Sequence, residues 1–190
     1  MDYPATHSMY FIAVLCPPEL DKKVLQYKLW MKEQFGCTVA LKSSAHITLV
    51  PPFWLENESE IQLLNSFHAF TSDMQDIQIY LNGFGHFSKR VLYVKVELNP
   101  ALEELKLQTE NYFTAAFNKA IRKEERVFQP HVTIATRDMT PSAFYKAWEQ
   151  VSIQNFTFSF SANKITLLKL SPGKWDTIAE KNWAQKNINS

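Results

Sequence analysis

The amino-acid sequence predicts an α+β fold made of two similar halves packed as one compact unit. Three observations carry that expectation. Runs with the alternation of strands and runs with helical spacing follow one another as strand, helix, strand, helix, strand, and the series occurs twice. The second strand of each series opens on the same pattern, His46-Ile47-Thr48 and His131-Val132-Thr133, with the two histidines 85 residues apart. The 190 residues, 46% of them apolar, suffice for a full core and contain no low-complexity segment or long linker at which to divide.

Residues 9–15 (MYFIAVL) are rich in β-formers and end before Pro17-Pro18. Leu20, Val24, Tyr27, Met31 and Phe35 then recur at helical spacing, and Gly36 supplies a stop. A second strand is expected at residues 46–50, cut off by Pro51-Pro52, followed by a helix near residues 59–71 and a strand near 77–84. In the second series, Leu92, Val94, Val96 and Leu98 alternate within a strand over residues 91–98. Asn99-Pro100 reads as a helix cap and first helical position, continued by Leu102, Leu105, Tyr112, Phe113 and Ala116. A strand at 131–136, a cap at Thr140-Pro141 with a short helix to Trp148, and two β-like runs at 156–160 and 164–170 complete the pattern. Residues 176–190, ending in AQKNINS, are expected to form a flexible tail.

Twenty basic and nineteen acidic residues leave a net charge of +1. No global positive field grips long nucleic acid, so phosphate recognition has to be local. The N-terminus lacks a basic region followed by an apolar core, and no stretch has the length to span a bilayer. A cytoplasmic monomer is expected, with no membrane and no obligate protein partner. Cys16 and Cys37 lack C-x-x-C spacing and read as reduced thiols. There is no HExxH, no carboxylate cluster and no closely spaced His/Cys set, and a chain with four glycines has no Gly-rich phosphate loop. No metal, ATP or nicotinamide cofactor is expected.

The twin motif is the informative feature. With twelve threonines and five histidines in the chain, two H-x-T matches flanked by apolar residues arise by chance with an expectation of roughly 0.002. Residues two apart on a strand share a face, so His46 points with Thr48 and His131 with Thr133, while Ile47 and Leu49 turn to the core. Packed about an approximate twofold, two such strands present two imidazoles and two hydroxyls to one cleft. A neutral imidazole can take a proton from water while a protonated one supplies a proton to a departing ribose oxygen. The threonine hydroxyls can donate to nonbridging phosphate oxygens.

HITL and HVTI resemble the paired H-x-T-hydrophobic signatures of the 2H phosphoesterase superfamily, in particular its 2′-5′ RNA ligase-like branch. The duplicated order extends the resemblance over nearly the whole chain. It implies a bilobal α+β fold, two antiparallel sheets flanking a central cleft with helices outside, and a substrate that is a small nucleotide or an RNA terminus carrying a 2′,3′-cyclic phosphate or a 2′-5′ linkage. It makes His46 the acid toward the leaving ribose oxygen and His131 the base toward water, or the reverse, with Thr48 and Thr133 holding phosphate. The implied reaction is hydrolysis of a cyclic phosphate to a 2′-phosphate. The alternatives are cleavage or joining of 2′-5′ linkages, and a noncatalytic module that holds a nucleotide or RNA end.

Some members place an aromatic residue shortly after the first motif and an arginine directly after the second; here Pro51-Pro52 delays Phe53, and Thr136 precedes Arg137. Phe53 and Arg137 are therefore the candidate substrate contacts, Arg137 because it shares strand parity with His131 and Thr133. His86, Lys89 and Arg90 in GFGHFSKR read first as a polar hairpin tip and second as the mouth of a cleft for an anion. Phe84 and Phe87 read first as core and second as base-stacking surfaces, and Lys42 reads equally as a charge beside His46 or a solvated side chain. His7 and His68 have no pattern around them.

Overall fold

The computed structural model describes residues 5–72 and 74–183. Among the described residues, two four-stranded antiparallel sheets, four α-helices and two short 3₁₀ turns make up the α+β fold. The first sheet contains β1 (His7–Leu15), β2 (His46–Glu56), β7 (Lys164–Ser171) and β8 (Lys174–Asn182) in the order β2-β1-β7-β8. The second contains β3 (Ile77–Phe87), β4 (Val91–Val96), β5 (His131–Thr136) and β6 (Thr157–Ala162) in the order β5-β4-β3-β6. The helices are α1 (Pro18–Phe35), α2 (Glu60–Ala69), α3 (Pro100–Ala116) and α4 (Pro141–Val151).

The helix ends follow the expected chemistry. Asn99 Oδ1 accepts the amide of Leu102 at 2.9 Å, and Thr140 Oγ1 accepts that of Ala143 at 3.2 Å, each before a proline that has no amide to satisfy. Gly36, at φ 72°, ends α1 with its amide on the Lys32 carbonyl, a left-handed cap that other residues adopt only with strain.

The order of strands corrects the reading of two consecutive halves. β3 pairs with β4 and β6, not with β1, and β7 returns from the far end of the chain to pair with β1. Each sheet thus has an H-x-T strand at one edge and a central partner beside it, but the first is completed by the C-terminal strands. The helices also cross between sheets. α1 lies against β5 and sets Tyr27 edge-on to Phe84 and Phe156, while α3 lies against β2. One apolar cluster consequently runs through residues of both sheets and all four helices.

Two further expectations are corrected. The prolines do not end the second strand: β2 continues through Pro51 and Pro52 to Glu56. As an edge strand it needs no hydrogen-bond donors on its open side, and its pairing with β1 shifts register between Tyr10 and Ile12. Nor is the segment from residue 176 a tail, since residues 174–182 pair with β7 along its whole length. At its end Trp183 is fully buried, its indole N–H donates to the Gln75 carbonyl at 3.3 Å, and its own carbonyl accepts from Ser72. The rest of the expected tail, 184–190, lies outside the described residues.

Candidate active site

Each H-x-T strand is the edge of its sheet, and the two edges, β2 and β5, approach one another. Alternation along β1 sends Tyr10, Ile12 and Val14 into the main core and Phe11 and Ala13 to the opposite face, where they join Leu168, Leu15 and Trp175. That face floors a cleft of about 310 Å³ bordered by His46, Thr48, Thr133, Thr136, Arg137 and Trp175. A second chamber of about 530 Å³, bordered by His131, Phe87 and the segment before β5, shares Thr48 and Pro52 with the first. The structure therefore brings His46, Thr48 and Thr133 to one chamber and His131 to the adjoining one, with Thr48 bordering both.

The same local device orients the two imidazoles. His46 Nδ1 lies 2.7 Å from the Ser44 carbonyl and His131 Nδ1 lies 2.8 Å from the Gln129 carbonyl, in each case the residue two before. A carbonyl only accepts, so Nδ1 is the protonated nitrogen and Nε2 is left for exchange chemistry. Each ring also leans on aromatics of its own sheet. His46 is 4.8 Å from Phe11, which meets Trp175 edge-on, and His131 is 4.8 Å from Phe87 and 5.0 Å from Tyr93. Tyr93 reaches that position because its pairing partner is Gly85, where a Cβ would come within 2.5 Å of the ring.

Desolvation by these neighbours pulls the His46 imidazolium down to about 4, aided by the nearby positive charges of Lys28 and His131. His131 is lowered for the same first reason. The effect of His131 on His46 places the two rings within electrostatic reach, and with both lowered below 6.5 they are neutral near pH 7.

A buried charge network holds the approach to His46. Lys28, 2% exposed on the inner face of α1, donates to the Ser43 carbonyl at 2.8 Å, and Asp21 accepts the Ala45 amide at 2.6 Å. Burial lowers the Lys28 ammonium to about 8, partly opposed by Asp21. On the other side, buried Lys106 pairs with Glu110 at 2.7 Å, and Glu110 accepts the Glu124 amide at 3.0 Å at the start of the segment leading to His131. Asp138 ties the loop after β5 to the turn before β2, accepting the amides of Thr38 at 2.6 Å and Val39 at 3.0 Å. None of these stands out in the sequence. The available signal for Lys28 is its place four residues after Val24 in an otherwise apolar stripe.

The remaining candidates divide. Phe53 is buried and stacks on Tyr10 at 6.0 Å, so it is a core residue and does not border the cleft. Phe84 is likewise core, and Phe87 is the support of His131 just described. Lys42 borders the cleft from the solvent side. Arg137 also borders it, but not by strand parity. The β4–β5 pairing skips Ile134, so Thr136 takes the open face beyond Thr133, and Arg137 follows the strand in the left-handed conformation at φ 60°. The β1–β2 pairing skips Leu49 at the equivalent position, so the duplication extends to a bulge directly after each threonine. His86 lies outside the cleft, edge-on to Phe144 and Trp148. Cys16 and Cys37 are buried free thiols, and burial raises both. Among the described residues no three His, Cys, Asp or Glu side chains are grouped to hold a metal, and no helix is long and apolar enough to cross a membrane.

Two edge strands that each begin H-x-T, in a duplicated α+β fold with a cleft between its sheets, define the class of two-histidine phosphoesterases. Within it, this chain belongs to the 2′-5′ RNA ligase superfamily, whose family model matches residues 16–174. Bacillus mycoides (strain KBAB4) has a relative provisionally described as a phosphoesterase, 26% identical over 133 residues that cover 68% of this chain and 73% of the relative. A Bacillus cereus (strain AH820) protein of the same description matches to the same extent. Among solved structures, Escherichia coli LigT complexed with 3′-AMP superposes with a TM-score of 0.67 at 19% identity, covering 94% of this chain and 99% of LigT. A Thermus thermophilus protein superposes with a TM-score of 0.66 at 18% identity, with 92% of this chain and 97% of that protein covered. At these identities the superpositions establish the shared fold.

Proposed function

We propose that the protein is a metal-independent phosphodiesterase that opens 2′,3′-cyclic phosphates of RNA ends or nucleotides to 2′-phosphates by two-histidine acid–base catalysis. The observation that supports this reading is the matched pair of imidazoles in adjoining chambers that share Thr48, each with Nδ1 committed to a backbone carbonyl and Nε2 available. One neutral Nε2 takes a proton from water as the water oxygen bonds to phosphorus. The bond from phosphorus to the ribose 3′ oxygen breaks, and the other imidazolium gives its Nε2 proton to that oxygen. A 2′-phosphate and a free 3′-hydroxyl result. Thr48 and Thr133 donate to the nonbridging oxygens, and Arg137 lies at the margin where it can offset their charge. The bound phosphate anion also raises both histidines toward the range where one is protonated and one is not. LigT, with the same fold, has been crystallised with 3′-AMP, ATP and phosphate, which supports a nucleotide phosphate as the ligand of this cleft.

The family resemblance assigns His46 as acid and His131 as base. Burial lowers both imidazoles, so either can begin as the neutral base, and the exchanged assignment is the alternative. A phosphodiester with a nitrophenolate leaving group separates the two, because that group departs without a proton. Turnover returning in His46→Ala alone supports the acid role for His46, and turnover returning in His131→Ala alone supports the exchange. The function itself is tested by incubating the protein with 2′,3′-cyclic nucleotides and cyclic-phosphate-ended RNA in excess chelator. The expected product is a 2′-phosphate, and saturable binding with no turnover across the panel would favour a noncatalytic module.

A further inference from the structure

Thr136 and Arg137 border not only the cleft but a larger cavity of about 1190 Å³ on its far side. Its walls are the turn between β3 and β4, with Lys89 and Arg90, and one side of α4, with Phe144, Tyr145 and Trp148. Three cations face this space, and among the described residues no carboxylate lines it. Among the described residues none of Lys89, Arg90 and Arg137 is in an ion pair. The aromatic wall is held in place and partly uncovered: buried Phe144 lies nearly parallel to half-buried Trp148 (9°), which is braced edge-on by His86 at 4.7 Å, while Tyr145 is 54% exposed with Lys89 Nζ 4.8 Å over its ring.

Flat aromatic surface rimmed by cations without acidic partners is what a single nucleic-acid strand requires, since bases stack without regard to sequence and phosphates need positive charge. Size points the same way. The 310 Å³ chamber beside His46 is at the lower end for a small-ligand site, about 300 Å³, and has room for little beyond a terminal ribose phosphate. The chamber beside His131 is lined by Lys106, which pairs with Glu110, and by Arg126 and Glu124, so carboxylates offset its cations and it is less suited to a polyanion. We infer that the large cavity is a subsite for the nucleotides preceding the terminal one in a single RNA strand. Their phosphates lie against Lys89 and Arg90, and a base stacks on Tyr145 and Trp148. The inference rests on reading the cleft as a cyclic-phosphate site and specifies its substrate as an oligonucleotide end over a mononucleotide.

The test compares kcat/KM for cyclic-phosphate-ended mono-, di- and trinucleotides in the wild type, in Tyr145→Ala and in the double variant Lys89→Ala, Arg90→Ala, all at exposed positions. The wild type should prefer the trinucleotide to the mononucleotide by at least about fivefold, the effect of one stacked base. Each variant should lose most of that preference and keep the mononucleotide rate, and the double variant should show a weaker salt dependence. Equal rates on all lengths in the wild type, or a preference surviving in both variants, would overturn the subsite while leaving the proposed chemistry in place. If no length is opened, the chemistry fails and binding decides the subsite alone. Weaker binding of a 3′-hydroxyl trinucleotide by Tyr145→Ala, read by fluorescence anisotropy, supports it, and equal binding overturns it.

Discussion

The burial of His46 makes the stability of the protein depend on pH in a defined direction. Its imidazole falls from an ordinary 6.5 to about 4 on folding, chiefly through desolvation. As pH drops through 6.5 the unfolded chain takes up this proton first, so the contribution is fully present above 6.5 and is lost progressively toward 4. The gap of roughly 2.5 pH units corresponds to about 3 kcal/mol, and the open edge of the ring in the cleft reduces the working figure to about 2 kcal/mol. The assay is urea unfolding of the wild type and His46→Gln at pH 7.5 and 4.5. The glutamine amide can still donate to the Ser44 carbonyl but does not titrate. The wild type should lose about 2 kcal/mol more than the variant between the two pH values. His131, also lowered, contributes the same sign in both proteins and cancels. Identical pH dependence, or a His46 ring titrating at its ordinary value or above by NMR, would refute the desolvation argument and the claim that both imidazoles begin neutral.

Removing one phosphate donor without changing side-chain shape, by Thr48→Val or Thr133→Val, should lower kcat on a cyclic nucleotide by about 10²-fold or more, with unfolding midpoints little changed. Gly85→Ala should displace the Tyr93 ring, which a Cβ would meet at 2.5 Å, and loosen His131. Steady-state kinetics should then show a fall in kcat and NMR an altered His131 titration, while His46 is unaffected. Trp183→Ala should cost about 3–5 kcal/mol in urea unfolding, because the ring is fully buried and its indole N–H and backbone anchor the end of β8. A dispensable tail would leave stability unchanged.

What the sequence discloses is what local chemistry decides. Asn99, Thr140 and Gly36 end or begin helices as expected because caps are made within a few residues. The motif residues share a face because strand alternation is local too. What it withholds depends on partners. Pro51 and Pro52 would break a central strand and are accommodated in an edge, and only the assembled sheet makes β2 an edge. The bulges after Thr48 and Thr133 have no composition of their own, so simple alternation hides Thr136 and lends Arg137 a parity it lacks. Phe53 stands at a suggestive distance from the motif, and the bulged strand turns it into the core. The segment KWDTIAEKN is polar enough to read as a tail, and becomes a strand because β7 offers it an open edge. Likewise the turn residues His86, Lys89 and Arg90 gain a meaning beyond a polar hairpin only when α4 folds against them.

The central claim is that His46 and His131 act as one acid–base pair on phosphorus. It is tested most directly by phosphorus NMR of a 2′,3′-cyclic nucleotide in excess chelator with the wild type, His46→Ala and His131→Ala, each shown to be folded. The wild type should convert the cyclic resonance to a 2′-phosphate, and each variant should be slower by about 10²–10⁴-fold. Undiminished hydrolysis in either variant would contradict the account.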